Sequence, residues 1–111
     1  MNESTVNTEM ISMQLITTAG EARTLAFEAL KEAKEGNYEE AKVKVELANK
    51  AVEKSHEIQT GLLVSFAKEE HIDVNVLLIH AQDHLMTCML AIEVIQEIIE
   101  VYENLNGKVD K

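Results

Sequence analysis

Leu77-Leu78-Ile79-His80-Ala81-Gln82-Asp83-His84-Leu85-Met86-Thr87 decides how the rest of the chain is read. At about 100° per residue it forms a helix with distinct sides. Around it, Val74, Leu78, Ala81, Leu85, Cys88, Ile92, Ile95 and Ile99 recur in steps of four and three. They make one continuous apolar seam, suited to packing on other helices of the same chain. A second seam, Val76, Ile79, Asp83, Met86 and Leu90, lies on nearly the opposite side. A monomeric bundle needs only one seam, so the second predicts packing against something outside it. Asp83 interrupts that outward seam, where a lone carboxylate is costly to bury. His80, His84 and Thr87 line one flank between the seams, and Gln82 lies on the other. The pattern predicts a helix from about Val74 to Leu105, capped by Asp73 and ended at Asn106-Gly107.

Two further helices precede it. From Glu9, Ile11, Leu15, Thr18, Ala22, Leu25, Ala29 and Ala33 follow helical spacing, with Ile16, Ala19, Arg23, Ala26 and Leu30 beside them. Small residues at Ala19, Gly20, Ala22 and Ala26 allow a neighbouring helix to approach closely. Arg23 is the one basic residue well inside this helix, and a surface or interhelical ion pair is expected for it. Glu35-Gly36-Asn37 breaks the pattern, with Gly at a helix C-terminus. Tyr38 then opens a helix through Ala41, Val45, Ala48, Val52, Ser55, Ile58 and Leu62, fading after Phe66. His56 near its end reads as a polar surface or interhelical residue, and His71 as loop. Short connections make neighbouring helices antiparallel. The expected fold is all-α, an antiparallel up-down-up three-helix bundle. It occupies one domain over residues 9–105, with tails at 1–8 and 106–111.

Composition agrees. The chain has 111 residues, no proline, two phenylalanines and two tyrosines. That suits one small helical domain. A net charge of −10 argues against nucleic acid or an anionic membrane as partner. No apolar run is long enough to span a bilayer, and the N-terminus lacks a basic and apolar signal sequence. A cytoplasmic location is therefore expected. Cys88 is the only cysteine and lies on the core seam, where it reads as a small buried hydrophobe.

For His80, Asp83 and His84 the residues leave three readings open. The first is structural, with flank histidines and a hydrogen-bonded carboxylate. The second is zinc, since His80/His84 and His84/Cys88 both have i, i+4 spacing. A hydrolytic helix of that kind carries Glu directly after the first His, where this chain has Ala81. The third is nucleophilic, with a neutral imidazole attacking phosphorus and becoming phosphohistidine. A different class of function is also open. The hairpin from Ala26 to Ala41 is similar to a single tetratricopeptide-like helix pair, which would make the protein a helical adaptor with structural histidines.

Residues 76–87, Val76-Leu77-Leu78-Ile79-His80-Ala81-Gln82-Asp83-His84-Leu85-Met86-Thr87, resemble the active-site signature of one family. It is the lactose/cellobiose-type enzyme IIA of the bacterial phosphoenolpyruvate-dependent sugar phosphotransferase system. Ala19-Gly20-Glu21-Ala22-Arg23, Gly36-Asn37-Tyr38-Glu39-Glu40-Ala41 and His56-Glu57-Ile58-Gln59-Thr60 match it too, so the resemblance covers nearly the whole chain. Cys88 stands where the family often has serine. The resemblance implies a homotrimer of three-helix bundles. It implies that His80 takes phosphate from phospho-HPr and passes it to a cysteine of enzyme IIB, serving the membrane subunit IIC indirectly. Gln82 and His84 match residues lining the phosphohistidine site. Asp83 matches the residue whose copies meet around a metal ion on the threefold axis, and oxygen ligands there suit Mg²⁺. One ion per trimer would then be structural. The imported disaccharide would be of the cellobiose, chitobiose or lactose type. No Lys or Arg lies between Val74 and Gly107, so positive charge at the phosphoryl group has to come from elsewhere.

Overall fold

The computed structural model describes residues 7–109. Three helices follow in order: α1 (Thr8–Lys34), α2 (Tyr38–Ala67) and α3 (Val76–Val109). No strand occurs among the described residues, so the all-α three-helix expectation holds.

Each helix end has a local cause. The Asn7 side chain accepts a hydrogen bond from the Met10 amide at 3.0 Å and starts α1 at Thr8, a residue expected in the N-terminal tail. The tail calls on residues 1–6 and 110–111 lie outside the described residues. α1 ends in a Schellman arrangement. The Asn37 amide donates to Glu32 O at 2.8 Å and the Gly36 amide to Ala33 O at 3.0 Å. Gly36 takes the required positive φ of 84° without a Cβ penalty. The end of α2 repeats the motif, with Glu70 donating to Ser65 O and Glu69 to Phe66 O. There the positive φ of 62° falls on Glu69, which costs about 1–2 kcal/mol relative to glycine.

Two expected boundaries of α3 are corrected. The cap is Asn75 and not Asp73. Asn75 Oδ1 accepts from the Leu78 amide at 3.0 Å, while Asp73 only accepts from the Asn75 side chain at 3.3 Å. Val74 therefore precedes the helix and is 65 % exposed, outside the core seam. At the other end Asn106-Gly107 does not stop α3, which continues to Val109. The Asn106 side chain donates to the Tyr38 hydroxyl, which donates to Tyr102 O at 3.3 Å. Contacts with the start of α2 thus hold this last part of α3 in helix, against the weak propensity of Asn and Gly.

α1 packs extensively on both other helices, whereas α2 and α3 meet only sparsely. The sequence of α1 suits this central place. Ala19, Ala22, Ala26, Ala29 and Ala33 are all buried, and they bring neighbouring backbones close. α3 supplies the bulk: Leu78, Leu85, Ile92, Ile95 and Ile99 are buried from the core seam, with Ala81 and Cys88 between them. Each such aliphatic side chain contributes roughly 1.5–3 kcal/mol by leaving water. α2 adds Ala41, Ala48, Ser55 and Leu62 at seven-residue steps.

The second seam of α3 stays uncovered. Val76 is 81 % exposed, Ile79 60 % and Leu90 62 %, with Met86 also open. It runs further than the sequence reading placed it, because Val94, Ile98, Val101 and Leu105 are exposed too. This apolar face extends along most of a 34-residue helix. That extent is typical of a surface awaiting a partner.

Candidate active site

The site residues share the first turns of α3, beside the N-terminal half of α1 and the C-terminal half of α2. His80 is exposed and His84 half-buried. Their rings lie nearly parallel, 15° apart with centroids 6.2 Å from one another, as one helical turn dictates.

His84 is fixed from below. Its Nε2 would lie 3.5 Å from a Cβ placed on Gly20, so the ring rests against the bare backbone of α1. Gly20, read from sequence as a helix-packing residue, lies beside this imidazole, where a Cβ would make an ordinary van der Waals contact. Cys88 Sγ is 3.9 Å from both ring nitrogens of His84. Burial pushes the Cys88 thiol above its ordinary pKa and the Arg23 charge opposes this only in part. Among the described residues no group of three or more His, Cys, Asp and Glu side chains could hold a metal. Thr87 turns its hydroxyl onto its own helix, donating to Asp83 O at 2.9 Å or His84 O at 3.2 Å.

Among the described residues Arg23 forms no ion pair, where one was expected. Its guanidinium sits over the Phe27 ring, 5.6 Å from the centroid, a cation–π contact between residues four apart on α1. With Phe27, His84, Thr87, Cys88 and Ala91 it lines an open groove of about 360 Å³ between α1 and α3. His56 is exposed on α2, with no hydrogen bond or ion pair among the described residues.

Asp83 and Gln82 point elsewhere. Asp83 is exposed in the middle of the outward apolar face, and its carboxylate has no hydrogen-bond partner among the described residues. Gln82 turns toward α2, where its Oε1 accepts a hydrogen bond from Gln59 Nε2 at 2.6 Å. The two flanks expected for α3 are thus real. His84 faces α1 and Gln82 faces α2, and no hydrogen bond among the described residues joins Gln82 to His80.

Comparison with known proteins adds an independent line. Residues 10–103 match the family described as PTS system, Lactose/Cellobiose specific IIA subunit. The N,N'-diacetylchitobiose-specific EIIA component of Escherichia coli K12 is 45 % identical over 99 residues, covering 89 % of this chain and 85 % of that protein. The fold resembles the crystal structure of the PTS cellobiose-specific enzyme IIA from Bacillus anthracis. The TM-score is 0.89 with 42 % identity, over 93 % of this chain and 94 % of that one. It also resembles the E. coli chitobiose IIA solved in complex with HPr, with TM-score 0.79 and 42 % identity, over 91 % and 98 % of the two chains. A match spanning all three helices leaves nothing specific to the single-hairpin adaptor reading. The chain belongs to the lactose/cellobiose-specific IIA family of the phosphotransferase system.

Proposed function

We propose that His80 is the phosphoryl acceptor and that the protein works as a homotrimer built on the outward face of α3. The observation that carries this is the exposed imidazole of His80 at the edge of an uncovered apolar face, with His84 parallel to it one turn on. The neutral imidazole attacks the phosphorus of phospho-HPr. The bond from phosphorus to the donor breaks as the bond to His80 forms, and no water takes part. The phosphoryl group then passes to a cysteine of enzyme IIB, which serves the membrane subunit. HPr as donor is supported by the complex solved for the E. coli chitobiose relative. The sugar is a disaccharide of the chitobiose, cellobiose or lactose type. A cytoplasmic place suits this role, and no described helix is long and apolar enough to cross a membrane.

The exposed apolar face of α3 supports the trimer. Threefold packing covers Val76, Ile79, Met86 and Leu90 with copies of themselves. It also brings three Asp83 carboxylates to one axis, where they repel unless a cation or protons intervene. One chain offers too few ligands for an ion, but three carboxylate oxygens with water fit a hard divalent ion such as Mg²⁺. Such an ion would hold the subunits together. In a parallel ring one flank of each α3 faces the opposite flank of the next. Gln82 of one chain thereby approaches His80 of its neighbour, and its amide donates to the phosphoryl oxygens. His84, seated on Gly20, supports the same group from the acceptor's own chain.

The carrier needs this moderate environment. α3 holds no Lys or Arg near His80. Strong charge pairing would stabilise the phosphorylated state and slow its onward transfer. Incubation with phosphoenolpyruvate, enzyme I and HPr tests the reading. The expected product carries one acid-labile phosphate per chain, whereas an adaptor with structural histidines would gain none.

A further inference from the structure

Gln59, half-buried on α2, donates from the same nitrogen to Gln82 Oε1 at 2.6 Å and toward Met86 Sδ at 3.7 Å. These partners favour one orientation of both amides. A thioether sulfur carries no hydrogen and can only accept, so the end of Gln59 facing Met86 is its NH₂. The same NH₂ faces Gln82, and the end of Gln82 that meets it is therefore the carbonyl. The NH₂ of Gln82 is left without a partner among the described residues. A phosphoryl group has only acceptor oxygens, so the polarity of this amide decides between attraction and repulsion. Without a partner, a glutamine on a helix flank turns over freely and presents its carbonyl as readily as its amino group.

We propose that Gln59 is a positioning residue. It holds Gln82 by its carbonyl, so that α3 presents a hydrogen-bond donor and not an oxygen to the phosphohistidine. The proposal rests on the reading that Gln82 serves the phosphoryl group. It adds a residue on a different helix that touches neither histidine nor phosphate. Met86 belongs to the device, because its sulfur is what only a donor can face. It also lies on the outward face of α3, so assembly of the trimer shields the Gln59–Gln82 bond from water and strengthens it.

The test is the rate of phosphoryl transfer from phospho-HPr in Gln59→Met, Gln59→Glu, Gln82→Met and the double variant Gln59→Met/Gln82→Met. Circular dichroism and sedimentation establish that each folds and assembles. One neutral hydrogen bond corresponds to a change of roughly 2- to 12-fold. Gln82→Met is expected to lower kcat about 10-fold and Gln59→Met about 3-fold, with KM for phospho-HPr unchanged. The double variant should match Gln82→Met alone, because Gln59 acts only through Gln82. Gln59→Glu fills the same space but cannot donate when ionised. It should turn the Gln82 NH₂ toward itself and fall below Gln59→Met. The side-chain ¹⁵N resonance of Gln82 should move on phosphorylation in the wild type and stay still in Gln59→Met. A Gln59→Met protein as fast as wild type, beside a slow Gln82→Met, overturns the proposal while leaving the role of Gln82 intact. Losses that multiply in the double variant overturn it too. A Gln82→Met protein as fast as wild type overturns the underlying reading as well.

Discussion

His80→Ala is expected to fold and assemble as the wild type does and to take no phosphate from phospho-HPr. The side chain is exposed and makes no hydrogen bond among the described residues, so its truncation changes stability by no more than about 0.5 kcal/mol. On the proposed assignment its loss removes the nucleophile itself. Transfer should fall by at least about 10³-fold, to the background of the assay. His84→Ala behaves differently. The ring of His84 is held by Gly20 and Cys88 and acts through hydrogen bonding or orientation. About a 10-fold loss is expected there, in keeping with one removed donor. Labelling with phosphoenolpyruvate, enzyme I and HPr, followed by mapping of the phosphorylated peptide, separates the two. Label retained on His80→Ala and carried by His84 would reverse the assignment.

Removal of the proposed divalent ion is expected to weaken the proposed trimer. Three Asp83 carboxylates brought to one axis repel once the cation is gone, and the apolar packing of α3 has to overcome that. With a chelator, the protein concentration at half-dissociation should rise about 10-fold or more. Asp83→Leu replaces repulsion by apolar contact on a face that is otherwise Val, Ile, Met and Leu. That variant should remain trimeric without metal and become insensitive to chelator. Sedimentation equilibrium at dilute protein reads both. A metal-free wild-type trimer as stable as the loaded one would make the ion incidental.

Much of this was legible along the sequence because it lies on one helix. The core seam of α3 and its outward seam both follow from spacing alone, and so do the two flanks. What spacing misses depends on how helices pack. Gln59 is 23 residues from Gln82, and only the crossing of α2 and α3 joins them. The close approach of Gly20 to His84 needs the contact of α1 with α3. The ends of α3 were misplaced for different reasons. Asp73 and Asn75 are both competent caps, and the backbone chose the second. Asn106-Gly107 is a common stop signal, overridden here by the contact of Asn106 with Tyr38. Arg23 did carry a signal, since Phe27 stands four residues on, within reach on the same helix face.

The central claim is that a complete site needs two chains, one giving His80 and the next giving Gln82. Mixed trimers of His80→Ala and Gln82→Ala chains test it most directly. A Gln82→Ala chain keeps its acceptor, and a His80→Ala neighbour on the correct side restores the missing amide. Transfer per intact His80 should then rise above that of the Gln82→Ala homotrimer, in proportion to the fraction of such interfaces. Strict averaging of the two parents, with no gain at any mixing ratio, would mean that Gln82 serves its own chain or none, and would contradict the shared site.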